Sequence, residues 1–264
     1  MPVMKIATLA SGSSGNSIYI GTNKRNILID AGITCKALTE NLAAFGLGIG
    51  DIDGVFITHE HTDHIGGLGV ILRRYELPVY LTEGTYDAIM SKNLLGRVPE
   101  EAFNIIKSDS EFNFGDVHVH AIHSSHDAAE PVIYRFDCED KSAAIVTDIG
   151  EPNPSMIETL KGLSVLLLEA NHDVCMLQAG PYPYPLKHRI LSEKGHLSNE
   201  TAGQLAVKLC SENMKNIMLS HLSETNNYPE LAREAVKMEL VMAGIDSVEV
   251  DVAPRYGISK VIEI

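Results

Sequence analysis

Three histidines and an aspartate fall within six residues of Thr58-His59-Glu60-His61-Thr62-Asp63-His64, straight after the apolar run Gly54-Val55-Phe56-Ile57. That run is short and rich in β-branched and aromatic side chains, which predicts a buried strand ending where the histidines begin. If the chain stays extended, His59 and His61 point to the same side, Asp63 continues their row and His64 points elsewhere. A single metal ion could not easily take all four side chains. Two ions side by side could, with His59 and His61 on one and Asp63 and His64 on the other. Imidazole and carboxylate suit zinc, iron or manganese, and pairs of such ions about 3.5–4 Å apart drive hydrolysis.

A pair of ions needs more ligands than one loop supplies. Val146-Thr147-Asp148 ends a predicted strand in a carboxylate, which can bridge two cations through its two oxygens. Leu219-Ser220-His221 ends another in an imidazole, and His126 follows the alternating segment Val117-His118-Val119-His120-Ala121-Ile122-His123. Each alone reads as an ordinary turn residue. Together with the opening motif they fill the missing positions. His118, His120 and His123 are expected to be ordinary strand residues, and His188 to face solvent.

The elements that must position these groups follow from periodicity. Strands are expected at residues 5–10, 17–20, 26–30, 54–57, 78–81, 117–123, 133–136, 143–146, 165–168, 217–219, 248–252 and 261–264. Helices are expected at residues 35–45, 66–75, 85–92, 155–161, 199–210, with Ser198 as N-cap, and 230–242. Residues 178–198, with three prolines, are expected to be irregular. The β-rich then helical order occurs twice with no linker between, so residues 1–264 are expected to form one domain of two packed mixed sheets with helices outside.

The 264 residues carry a net charge of −14, which disfavours a general grip on long nucleic acid because counterion release calls for a basic face. An enzyme acting on nucleic-acid ends is not excluded by it. Four cysteines are scattered without metal-type spacing, and neither a signal segment nor a membrane-length apolar run is present, so reduced thiols and a cytoplasmic location are expected.

Taken together, the chain resembles the metallo-β-lactamase-fold hydrolases. The resemblance rests on Asp30 in Leu28-Ile29-Asp30-Ala31-Gly32, the His-x-His-x-Asp-His motif, His126, Asp148 and His221, in the family's order along the whole chain. Ser11-Gly12-Ser13-Ser14-Gly15-Asn16, Glu169-Ala170-Asn171-His172-Asp173 and Gly195-His196-Leu197-Ser198-Asn199 resemble most the small YycJ (WalJ) type, regarded as bacterial DNA exonucleases. The resemblance implies an α/β (α+β) fold, a four-layer αββα sandwich with a dinuclear metal site at one edge between the sheets. It implies two divalent ions (zinc, manganese or iron), one held by His59, His61 and His126, the other by Asp63, His64 and His221, bridged by Asp148. Asp30 would brace the ligand loops. Asp63 would orient a metal-bridging hydroxide and accept its proton, and His196, oriented by Glu169, would contact the scissile phosphate or protonate the leaving oxygen.

The implied activity is a dinuclear phosphodiesterase, specifically a 5′-end-directed DNA exonuclease, with nucleic acid as its partner and no membrane. Ser13, Asn16, His172, Lys187 and Arg189 are candidate substrate contacts, with the tyrosines of residues 180–189 available to stack on unpaired bases. Two competing expectations stand beside this one. The first is hydrolysis of a small substrate: a cyclic phosphodiester, thioester or lactam. The second is a di-iron redox protein, although such proteins typically carry glutamate where this chain has His61.

Overall fold

The computed structural model describes residues 4–264. Its strands form two seven-stranded sheets. The first contains β1 (Met4–Ala10), β2 (Ser17–Thr22), β3 (Asn26–Ile29), β4 (Gly54–Phe56), β5 (Val79–Thr82), β6 (Phe103–Ile106) and the closing strand β14 (Ile262–Glu263). The second contains β7 (Ser110–Phe114), β8 (Val117–His123), β9 (Val132–Cys138), β10 (Lys141–Val146), β11 (Val165–Glu169), β12 (Asn216–Ser220) and β13 (Glu249–Val252). In the first sheet β3 to β6 run parallel, and in the second β10 to β13 do. Ligand-bearing loops in open α/β sheets leave from the carboxyl ends of such strands.

Alternation along the strands explains the layering. One face of each sheet meets the other sheet through Ile18, Ile20, Ile27, Ile29, Phe56, Val117, Val119, Ala121, Tyr134 and Phe136. The outer face of the first sheet packs on α1 (Cys35–Ala43), α3 (Leu68–Leu72) and α4 (Glu83–Ser91) through Leu38, Leu42, Leu68, Ile71 and Ile89. The outer face of the second packs on α5 (Pro154–Thr159), α8 (Asn199–Leu209) and α9 (Pro229–Met242). The result is the expected αββα order. Ser198 caps α8 by accepting from the Thr201 amide. No described helix is long and apolar enough to cross a membrane.

Three expectations are corrected. The helix anticipated at residues 66–75 is only the short α3, and a separate short helix, α2 (Thr62–Ile65), precedes it. They are separated at Gly67, where an added Cβ would lie 1.9 Å from the Ile33 carbonyl oxygen, so the chain turns there against residues 31–33. Because α2 starts at Thr62, Asp63 lies in a helical turn and does not continue the extended row of His59 and His61. The irregular region at residues 178–198 contains helix α7 (Tyr184–Ile190), and α6 (Val174–Ala179) ends just inside it. Pro185 falls in the first turn of α7, where a missing N–H costs nothing and the fixed φ suits the helix.

Strand β4 is central to the arrangement. Phe56 is fully buried and meets Tyr80, Phe112, Phe114, Tyr134 and Phe136 at ring-centroid distances of 4.8, 6.1, 5.4, 5.6 and 5.8 Å. The buried Tyr134 hydroxyl donates to the Ile57 carbonyl at 2.8 Å, and the Val132 amide donates to the Thr58 carbonyl at 3.0 Å. The second sheet thus grips the first at the entrance to the histidine motif. Phe56→Ala should cost about 3–5 kcal/mol in urea-induced unfolding, as for other buried phenylalanines. A loss below about 1 kcal/mol would contradict this placement of the aromatic cluster.

Candidate metal centre

Five of the site's segments leave the carboxyl end of a parallel strand, while His126 comes from the loop after the antiparallel β8 and His196 from the loop before α8. Asp30 follows β3, the histidine motif follows β4, Asp148 follows β10, Glu169 ends β11 and His221 follows β12. Asp30, Asp148 and His221 all adopt left-handed backbone conformations, with φ of 60°, 54° and 56°. Asp and His tolerate this region better than most residues, and surrounding contacts must hold them there. Those contacts are present: the His221 amide donates to Ser11 Oγ at 2.7 Å, and Ser124 Oγ donates to the Asp148 carbonyl at 2.7 Å.

The imidazoles are oriented from behind by acceptors. Asp30, 1% exposed, accepts from the Thr58 amide and hydroxyl, both at 2.8 Å, and from His64 Nδ1 at 2.7 Å. His126 Nδ1 donates to the Gly195 carbonyl at 3.1 Å, and His59 Nδ1 lies 3.0 Å from the Thr58 hydroxyl. Glu169, fully buried, takes both His196 Nδ1 at 2.6 Å and His221 Nδ1 at 3.1 Å on Oε1, while Oε2 accepts the Ile149 amide. Fixing one ring nitrogen of a histidine in this way aims the other at a metal.

The remaining nitrogens and oxygens converge. His64 Nε2 lies 3.1 Å from Asp148 Oδ2, and His221 Nε2 lies 3.4 Å from Asp63 Oδ2. His126 Nε2 lies 3.4 Å from His61 Nδ1 and 3.7 Å from Asp148 Oδ1. Donor atoms of His59, His61 and His126 form one compact group, and those of Asp63, His64 and His221 another, with His59, His64 and Asp148 grouped between them. His59 Nε2 is buried without any hydrogen-bond partner. An orphaned buried nitrogen among facing lone pairs is costly unless a cation is shared, so the residues present fit divalent metal ions.

Electrostatics agree with the geometry. Burial alone would raise the Asp63 carboxyl, but hydrogen bonds from His221 and His64 outweigh it and hold the group far below the usual carboxylate range. Burial would also raise Asp148, yet the charges of His221 and His64 push it well down. Burial would lower His221, but the Asp148 carboxylate and hydrogen bonds to Asp63 and Glu169 carry it up to about 10. His64 is raised well above its ordinary value against burial by Asp148 and Asp30. His59, whose desolvation is reinforced by the neighbouring His64, is driven well below.

The other anticipated residues fare unevenly. His196 stacks at 5.4 Å on the His221 ring and lies 5.0 Å from that of His126, so it is brought to the site. His172 is buried with both ring nitrogens unpartnered, and burial takes it down to about 4. Ser13 is exposed. Asn16 does not present itself as an open substrate contact: it is buried, receives the Gly12 amide on Oδ1, and directs Nδ2 to His64 Nε2 at 3.1 Å and Asp63 Oδ2 at 3.3 Å. The Lys187 ammonium is likewise engaged, donating to the Gln178 and Gly180 carbonyls at 2.7 and 2.8 Å. Arg189 pairs with Asp127, beside His126.

Sequence reasoning missed Thr58 and Ser11, whose hydroxyls tie ligand loops together, because a lone hydroxyl carries no spacing signal. It also missed the second role of Glu169, on His221. Gly32, in the Asp30 motif, has a steric reason: an added Cβ would lie 1.7 Å from the Asp63 carbonyl oxygen.

Residues 25–221 match the family described as the Beta-lactamase superfamily domain. The chain is 41% identical over 241 residues to Exodeoxyribonuclease YycJ of Bacillus anthracis, covering 91% of this chain and 90% of that protein. It is 40% identical over 254 residues to Exodeoxyribonuclease WalJ of Streptococcus pneumoniae, covering 95% and 94%. In fold it is similar to the metallo-beta-lactamase fold protein YhfI of Bacillus subtilis, with a TM-score of 0.73 at 17% identity over 98% of this chain and 99% of that one.

The carboxylates around His64 and His221 raise both imidazoles above the ordinary histidine value, which favours their protonated forms before metal is added. Loading with zinc at pH 7 should therefore release protons, since ligation requires neutral imidazole. Calorimetric titration in buffers of differing ionisation heat reads this directly, and the release should shrink as pH rises towards 10. Zinc uptake with no proton release at pH 7 would contradict the assigned protonation states.

Proposed function

The chain belongs to the beta-lactamase superfamily, and on that premise we propose that it is a dinuclear metal-dependent phosphodiesterase, a DNA exonuclease directed to 5′ ends. Residues 1–264 are read as one domain. The observation that carries the reading beyond hydrolysis in general is the Glu169–His196 pair, 2.6 Å apart and set against the two groups of donor atoms. The exodeoxyribonuclease names of the relatives at 40–41% identity support DNA as the substrate.

In this reading His59, His61 and His126 would hold one divalent ion and Asp63, His64 and His221 the other, with the Asp148 carboxylate available to both. When bound, such a pair lowers the pKa of a shared water and neutralises charge developing on a phosphate oxygen. Asp63, about a quarter exposed, would be the carboxylate placed to orient a water held there and take its proton. Asp30 and Thr58 keep His64 and His59 from swinging, so the ligands are preorganised.

The leaving oxygen needs a proton. Burial lowers the affinity of His196 for one, but the adjacent Glu169 charge and hydrogen bond more than compensate and raise it above the ordinary histidine value. Metal cations nearby would push the other way, so Glu169 is what keeps His196 able to donate. His196 is 18% exposed, while Glu169 is sealed, which suits a group that meets substrate and a group that only positions it.

The test is release of nucleotides from end-labelled single- and double-stranded DNA and RNA by protein loaded with zinc, manganese or iron. DNA should be shortened from its ends. Asp63→Ala should abolish activity, and His196→Ala should lower kcat by about 10²–10⁴-fold with metal content unchanged. Hydrolysis of a thioester or cyclic phosphodiester with every nucleic acid left intact would overturn the proposal.

A further inference from the structure

A second group of potential ligands lies on the outer face of the second sheet. In β8, Val117, Val119 and Ala121 face the other sheet, so His118 and His120 face outwards. Strand register sets Glu111 of β7 opposite His120, Asn113 opposite His118, and Asp137 of β9 on the other side of His118. The backbone therefore gathers two imidazoles and two carboxylates on one patch of three adjacent strands. None of them takes part in the candidate metal centre.

The atomic arrangement is that of a ligand set with its orienting partners. Glu111 Oε2 lies 3.4 Å from His118 Nε2 and 3.3 Å from His120 Nδ1, and these three donor atoms form one compact group. Tetrahedral zinc with bonds of about 2.0–2.1 Å separates its ligand atoms by about 3.3–3.4 Å. The far nitrogen of each ring is held by an outer acceptor: His118 Nδ1 by Asn113 Oδ1 at 2.9 Å, and His120 Nε2 by Asp137 Oδ2 at 3.0 Å. Asp137 is itself fixed by the Arg135 guanidinium at 2.8 Å. A carboxylate or amide behind a histidine is how metal-binding imidazoles are oriented, with the inner nitrogen left as the ligand.

We propose that Glu111, His118 and His120 form a separate surface site for a zinc-class transition-metal ion, oriented by Asn113 and Asp137. Three protein ligands leave a fourth position open to water. An ion here would pin the edge strand β7 to β8 through their side chains, beside the backbone pairing already present. The chemistry selects imidazole-preferring ions such as zinc, nickel or copper over magnesium or calcium.

Metal content separates this site from the first. Wild type and His118→Gln/His120→Gln are equilibrated with buffered free zinc, freed of unbound metal and counted by elemental analysis. Wild type should hold one equivalent more than the double variant. Glu111→Gln, which alters an exposed side chain and leaves both imidazoles, should shift uptake of that same equivalent to higher free zinc. Circular dichroism in the presence of chelator checks that all three proteins are folded alike. Equal zinc content in wild type and the double variant, or an unshifted uptake curve in Glu111→Gln, would overturn the proposal.

Discussion

Carboxylates buried against imidazoles are the constraint on which the site depends. Asp30, Asp148 and Glu169 are each 3% exposed or less, and none could remain ionised there without positive or hydrogen-donating neighbours. His64, His221 and His196 supply them. The same bonds fix which nitrogen of each ring is turned inwards. A requirement of burial and a requirement of chemistry are met by one set of contacts. The left-handed conformations of Asp30, Asp148 and His221 have the same origin: a strand end must turn sharply to aim a side chain back across its own sheet edge.

Much of this was legible beforehand because strands end abruptly in unusual residues. The apolar runs before His59, Asp148 and His221 located strand ends, and short polar residues there are the ones free to leave the sheet. Two β-rich halves each trailing helices suited two packed sheets, and the resemblance to the metallo-β-lactamase fold supplied the αββα order. What the linear pattern could not supply was three-dimensional engagement. Lys187 and Asn16 look available in sequence, yet one closes a helix–helix junction and the other braces the motif. The turn at Thr62 was hidden because the histidine spacing fits a strand as well as a strand followed by a helix. The three prolines of residues 178–198 argued against a helix, but one of them sits in the only turn that tolerates it.

The two sheets divide the labour. The first delivers the histidine motif and its bracing aspartate, and the second delivers Asp148, Glu169, His221 and, from the loop after β8, His126. Phe56, Tyr134 and the inter-sheet hydrogen bonds at Ile57 and Thr58 register the halves against each other. A slip between the sheets would separate His61 from His126, which stand 3.4 Å apart and come from opposite sides. With a net charge of −14, the surface offers little general attraction for a polyanion. Local positive charge at the site would have to do that work, which fits engagement of an end better than a grip along a duplex.

The central claim is that this geometry holds two ions with His196 left unligated. Crystals of zinc-loaded protein, measured at the zinc absorption edge, test it most directly. The account predicts two anomalous peaks about 3.5–4 Å apart, one among His59, His61 and His126 and the other among Asp63, His64 and His221, with Asp148 touching both. A single peak, or a peak ligated by His196 in place of His221, would contradict it.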